Sequence, residues 1–392
     1  MARKDHEKKR WSAIGLMSGT SMDGIDVALL VTNGKTRVER GPGASYPYEA
    51  AFRRKLAAAL ETAKAIEKRT DRPGDLADLE REIATRHAEA VKRFLDENHL
   101  RLSDIDVVGF HGQTVLHRPA QGVTVQLGDA KLLAAETGLP VVHDLRAADM
   151  ELGGQGAPLV PVYHRALAEN LPKALSDLWP VAFVNIGGIA NISWISREGE
   201  MIAFDTGPGN ALIDQWVAAK GGIPYDQGGA IAAEGSVDAA LAGRYLSESF
   251  FQQPAPKSLD RNDFLPPAPD AATLEDGAMT LAHVTAASIL KAFEHVPEAP
   301  RVVIICGGGR NNRAIMGELA RLLQELPRER DDAVQLLAAE EAGFDGDSME
   351  AEAWAYLAVR SLRGLKITWP GTTGVSKGAT GGLVAYPDPG KP

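Results

Sequence analysis

The run Gly15-Leu16-Met17-Ser18-Gly19-Thr20-Ser21-Met22-Asp23-Gly24-Ile25-Asp26-Val27-Ala28-Leu29 gathers residue types suited to holding a phosphate. An apolar stretch breaks into glycines, small hydroxyl residues and two aspartates, then returns as the alternation Ile25, Val27, Leu29. That pattern predicts a strand, a tight polar turn and a second strand. Gly19 and Gly24 leave backbone N–H groups open to close approach. Thr20 and Ser21 add hydroxyl donors, and Asp23 and Asp26 can hold a magnesium ion through water. No Gly-x-x-x-x-Gly-Lys-Ser/Thr loop between a strand and a helix occurs, which excludes the P-loop solution. Taken alone, the segment reads equally well as an ordinary polar hairpin turn.

A second strand end carries a carboxylate. Residues 201–204 form an apolar run that reaches Asp205 and turns through Thr206-Gly207-Pro208-Gly209-Asn210 into a helix over 211–219. Asp205 there either does chemistry beside a turn that phosphates can approach or caps the turn and the helix after it. His111-Gly112-Gln113-Thr114 ends a strand over 107–110, and Asp144 and Arg146 follow another over 140–143. Arg146 suits a carboxylate or phosphate by bidentate pairing, with an internal salt bridge as the alternative. Glu350 opens a strong helix over 349–362, where it can also complement the helix dipole.

The elements that must position these residues form two unequal halves. Helical patterns cover 48–69 and 75–98, followed by a strand at 123–127 and a helix over 131–137 stopped by Gly138. An irregular stretch over 153–161 precedes a restart of the opening theme. There, a strand over 181–185 breaks at Gly187-Gly188 and resumes over 191–195. Helices over 278–294 and 312–326 flank a strand over 302–306 that enters Gly307-Gly308-Gly309.

Composition narrows the class. The 392 residues allow two domains, and 40 glycines, clustered after apolar runs, favour ligand-contacting turns. A net charge of −10 argues against nucleic acid as the main partner. One cysteine, Cys306, allows no intrachain disulfide and fits a reducing compartment. No apolar run nears the ~20 residues of a membrane span. The charged residues 1–10 read as a frayed tail.

Two strand-strand-strand-helix units are the layout of the actin–hexokinase–heat-shock-kinase superfamily, and the chain resembles one family within it. The hairpin run, His111-Gly112-Gln113-Thr114, Gln126-Leu127-Gly128-Asp129, residues 153–161, Asn185 to Asn191, Phe204 to Asn210 and Cys306 to Gly309 together resemble anhydro-N-acetylmuramic acid kinase, in order, over residues 14–385. The resemblance implies an α/β, two-domain actin-like ATPase fold with duplicated βββαβα cores and an inter-domain active-site cleft. It implies domain I over 11–142 plus 366–387 and domain II over 143–365. The implied reaction takes 1,6-anhydro-N-acetylmuramic acid, ATP and water to N-acetylmuramic acid 6-phosphate and ADP, in cytoplasmic peptidoglycan recycling.

The resemblance also implies roles. Asp205 matches the family's catalytic aspartate. The hairpin residues Gly19, Thr20, Ser21, Met22, Asp23, Gly24, Ile25 and Asp26 face ATP, with Asp23 and Asp26 toward Mg2+. Gly187, Gly188, Gly207, Gly209 and Asn210 face the phosphates from the second half, and Gly307, Gly308 and Gly309 lie near the adenosine. Ser18, His111, Gln113, Arg146, Gln155 and Glu350 serve the sugar. The family's usual state is a homodimer, with no nucleic acid or membrane partner. The chain departs from the family where Pro-Lys-Ser-Thr-Gly-Arg is common: it reads Pro256-Lys257-Ser258-Leu259-Asp260-Arg261, losing a hydroxyl and a glycine and gaining a carboxylate. The rival readings are a kinase for another sugar on the same fold and a non-catalytic actin-like filament or nucleotide-gated module.

Overall fold

The structure is a computed structural model that describes residues 10–19, 21–259, 263–326 and 333–387. The chain divides into two compact units, Met1–Asn170 with Ser348–Pro392, and Leu171–Asp347. The first holds β1 (Trp11–Ser18), β2 (Gly24–Thr32), β3 (Val38–Pro47), β4 (Val107–Arg118), β5 (Val123–Leu127) and β6 (Val141–His143). The second holds β7 (Val181–Ile186), β8 (Ile189–Ile195), β9 (Met201–Pro208), β10 (Val302–Cys306) and β11 (Gln335–Ala338), and β12 (Leu383–Ala385) returns to the first.

The two sheets repeat one topology. The first runs β3-β2-β1-β4-β6-β12, with β5 paired to β4; the second runs β9-β8-β7-β10-β11. In both, the second strand is antiparallel to its neighbours and the inner strands beyond the first are parallel. That repeat is the duplicated core expected, built as a hairpin plus a third antiparallel strand, followed by parallel crossovers through helices.

Helix placement differs from the expected domain limits. The helix Met349–Leu362 packs on β1 and β4 of the first unit, where a Cβ at Gly15 or Gly109 would strike the helix backbone. The glycines are what let the helix lie directly on the strands. Residues 143–170 also belong to the first unit, since the Gln155 N–H donates to the Thr373 carbonyl (2.7 Å) and the Thr373 hydroxyl to Asp149 (2.7 Å). The compact units therefore part at 170/171 and 347/348, in place of the 142/143 and 365/366 expected. Local patterns reveal elements, but the sheet an element covers is a long-range contact.

Two strands also extend past their expected ends. β4 continues through His111 to Arg118 because β5 pairs with its second half, so His111-Gly112-Gln113-Thr114 lies within a strand. Gly112 takes φ of 75° there. β9 likewise includes Asp205, which pairs with Asn191 beside a bulge in β9 at Thr206.

Candidate active site

In the first unit, the turn between β1 and β2 is latched from β4. The buried Gln113 amide donates to the Gly19 carbonyl (3.0 Å), and its carbonyl oxygen accepts from the Ser18 hydroxyl (2.5 Å). Ser18 also meets the Tyr48 hydroxyl at 2.9 Å. Both ends of Gln113 are thus used inside the protein, and Ser18 is fully buried; the two hold the turn. On the turn, the Ser21 hydroxyl donates to Asp23 (2.7 Å), both exposed, while Met22 takes φ of 54° and packs with the core, as Ile25 does. Met22 and Ile25 can offer a ligand only their backbone. Gly24 is set by packing, since a Cβ would sit 2.6 Å from the Tyr46 carbonyl, whereas a Cβ at Gly19 would make only ordinary contacts from 3.5 Å outward. Thr20 lies outside the described residues.

Beside this turn, His111, Arg146 and Trp354 form one cluster. The Arg146 guanidinium donates to His111 Nε2 (3.0 Å) and to the Gly156 carbonyl (2.7 Å). His111 lies against the Trp354 indole, ring centres 4.4 Å apart, and Arg146 stands 5.3 Å over the same ring. Burial, then the Arg146 cation, hold His111 well below its usual value, so its Nε2 stays an acceptor and the ring neutral. Burial lowers Arg146 to about 10, opposed by Glu350 and Asp149, so it remains charged at neutral pH. A fixed cation beside an aromatic face suits an anionic or carboxyl-bearing sugar.

In the second unit, Asp205 is partly buried. The Asp205 N–H donates to the Lys257 carbonyl (3.0 Å), and Leu259 N–H donates to Asp205 Oδ2 (2.8 Å). The helix Asn210–Gly221 is capped by Gly209 without any side-chain bond, so capping it is not the task of Asp205. The Gly187-Gly188 turn accepts from the N–H groups of Asn210 (2.8 Å) and Gly209 (3.0 Å). The glycines separate into two kinds. At Gly207, Gly209 and Gly309 a Cβ would collide with Ser288, the Gly187 carbonyl and Ile186, so packing demands them. Gly307 needs its φ of 72°. At Gly187 and Gly308 a Cβ would make only ordinary contacts, at Gly188 it would press on the Ala211 Cβ at 3.3 Å, and Gly188 and Gly308 are exposed where a ligand can approach.

A model of the family described as "AnmK: Anhydro-N-acetylmuramic acid kinase" matches residues 11–387. The chain belongs to the anhydro-N-acetylmuramic acid kinase family. The protein of that name from Agrobacterium fabrum is 55% identical over 373 residues, covering 95% of this chain and 98% of the relative. The one from Rhizobium etli is 55% identical over 376 residues, covering 96% and 99%. A solved structure of (R)-2-hydroxyglutaryl-CoA dehydratase component A from Acidaminococcus fermentans aligns at TM-score 0.45 and 11% identity, covering 89% of this chain and 99% of that one. Among the described residues no helix is long and apolar enough to cross a membrane.

Around the residues that the motifs single out, the structure of this kinase places others that the motifs alone did not expose. Trp354 stands four residues after Glu350 on the same helix, so an i, i+4 reading of that face points to it. Asp149 accepts from the Gly156 N–H (2.7 Å) and shapes the loop over 153–156, which contains Gln155. A Cβ at Gly154 would strike that carboxylate, and Gly153 takes φ of 81°, so the two glycines of the loop have separate causes. Lys257 and Leu259 reach Asp205 from some 50 positions away, and no local pattern signals that contact.

Proposed function

We propose that the protein opens 1,6-anhydro-N-acetylmuramic acid hydrolytically and phosphorylates it from ATP to N-acetylmuramic acid 6-phosphate. Family membership supports the overall reaction, and the carboxylate of Asp205, oriented by the Leu259 N–H on a rigid strand, carries the mechanistic reading. Asp205 accepts a proton from water. The water oxygen bonds to the anomeric carbon as that carbon's bond to the bridging oxygen breaks. The bridging oxygen, now on carbon 6, attacks the γ-phosphorus, and ADP leaves. Phosphoryl transfer captures the departing oxygen, so one carboxylate suffices where an inverting glycosidase uses two.

The remaining groups bind and orient. Arg146, with His111 and Trp354 behind it, takes the lactyl carboxylate or amide edge of the sugar, and Glu350 and Gln155 lie in the same neighbourhood of chain. Ser18 and Gln113, whose polar groups are spent inside the protein, act by holding the hairpin turn in place for ATP. The hairpin turn between Gly19 and Asp26 and the Gly187-Gly188 turn meet the phosphates, Gly209 and Asn210 hold the second turn through their own N–H groups, and Gly307, Gly308 and Gly309 take the adenosine. The exposed Asp23, with Asp26 on β2, fits Mg2+, which keeps most of its waters and needs one or two carboxylates. Bound there, Mg2+ supplies charge neutralisation for ATP. On this reading the enzyme works in the cytoplasm as a homodimer.

Reaction in oxygen-18 water tests the coupling. The label is expected on the anomeric hydroxyl of early product, with none in the phosphate, as read by mass spectrometry. A simple sugar kinase leaves the early product unlabelled, and a plain ATPase puts label into free phosphate. Either result removes the coupled ring opening.

A further inference from the structure

The segment over 256–261 is where the chain departs from its family's common pattern, and two of its described residues, Lys257 and Leu259, are tied to Asp205 through their backbone. Asp205 N–H reaches the Lys257 carbonyl, and Leu259 N–H reaches the carboxylate. The Lys257 side chain points the other way, into the unit. It is 7% exposed. Its Nζ donates to the carbonyls of Phe250 (3.1 Å) and Phe251 (3.4 Å), at the short helical turn Ser249–Gln252. It lies 4.7 Å from the Phe250 ring centre and 5.8 Å from that of Phe204, the residue before Asp205. His295 Nε2 is 3.2 Å from Nζ and 2.8 Å from the Phe251 carbonyl, closing the group.

We infer that Lys257 is a positioning residue for Asp205: its buried ammonium pins residues 257–259 to the Phe250–Phe251 turn, and that strap fixes the carboxylate. The inference rests on the reading of Asp205 as the base. A lysine beside a kinase carboxylate is otherwise read as a phosphate ligand, but this ammonium is spent on two internal carbonyls and two ring faces. Burial is costly for a cation, and it holds Lys257 down to about 8, with Lys291 adding to the effect and Glu294 opposing it. The cost is offset only where every donor has a partner, which makes the anchor specific in direction as well as place. A slack strap withdraws the Leu259 N–H from the carboxylate, which favours its protonated form and blurs its aim at water.

The test compares Lys257→Met, which keeps the stem and loses the donors, with Lys257→Gln, which keeps one amide donor. Lys257→Met is expected to lower kcat by about 10- to 100-fold with KM for sugar and ATP within about twofold. The acid limb of its kcat–pH profile should move up by about half a pH unit or more, because the carboxylate loses a donor. Lys257→Gln should fall between Met and the native enzyme in both readouts. A carbon-13 titration of the Asp205 carboxyl, assigned by its absence in Asp205→Asn, gives the same shift without turnover, and decides the matter from the Gln variant if the Met variant does not fold. Native kcat with an unmoved acid limb, or an unshifted Asp205 titration, overturns the positioning role while leaving Asp205 as base intact. Normal turnover by Asp205→Asn instead overturns the base assignment itself.

Discussion

The turn between β1 and β2 is latched by side chains, and the turn between β7 and β8 by backbone. Gln113 grips the first turn at Ser18 and Gly19, and Ser21 meets Asp23 across its surface. The second turn is two bare glycines whose carbonyls take the N–H groups of Gly209 and Asn210. Both stand at the same place in the same strand order. A turn held by distant side chains is free to carry hydroxyls and carboxylates of its own. A turn held by the adjoining helix start keeps only peptide groups and offers nothing else. The duplicated scaffold thus supplies two kinds of site: one able to carry metal-binding and polar groups, and one that presents backbone beside a carboxylate.

The sharpest break of this comparison is Asp205→Asn. It should leave ATP and sugar binding nearly unchanged by calorimetry while turnover falls by roughly 10²- to 10⁴-fold, the usual range for a lost base. A folded variant with near-native turnover would move the chemistry away from the second unit. Next is Arg146→Met in the first unit. Loss of a partly buried cation that orders His111 should raise the sugar KM about 10- to 100-fold, with the KM for ATP held within twofold. If both KM values rise together, Arg146 serves ATP as well.

Acid should loosen the first unit. Burial lowers His87 to about 4 and His164 to about 3, while the unfolded chain protonates them near 6.5. Protons therefore bind the unfolded state more tightly. The stability is complete above the unfolded value and is lost as pH falls through the window from about 6.5 toward 4. From pH 7 to pH 5 each contributes a loss of roughly 2 kcal/mol. Hydrogen exchange at the two pH values should show it at the helices Leu76–Glu97 and Pro161–Ala168, which carry the two imidazoles. Unchanged protection there would mean that these rings do not stay neutral in the fold.

The smallest effects separate the two latches. Gln113→Ala should cost about 1 kcal/mol or more in urea unfolding, because the buried Ser18 hydroxyl loses a partner, and should raise the KM for ATP several-fold. Gly188 is exposed but a Cβ there meets the Ala211 Cβ at 3.3 Å, so Gly188→Val should cost a little stability while the KM for ATP rises by a similar factor. A Gly188 variant that binds ATP normally would remove the second turn from the phosphate site.

Punctuation by glycine and the alternation of apolar residues were enough to locate both hairpins, the helix Met349–Leu362 and the strand leading into Gly307. Those signals are local: a period, a turn residue, a capped end. Family resemblance then followed from short motifs in fixed order. Three things were not local. The end of β4 depended on β5, which extends the strand past His111 through pairing. The side of the molecule that owns Met349–Leu362 depended on Gly15 and Gly109, more than 200 positions away, which admit its backbone. The environment of Asp205 depended on a strap from Lys257 to Leu259. The sequence by itself determined which segments form strands, turns and helices, because backbone preference and amphipathic period act over a few residues. Only the tertiary structure decided which glycines are demanded by a packed neighbour and which are not, and what holds the carboxylate, because those depend on atoms brought together from distant parts of the chain.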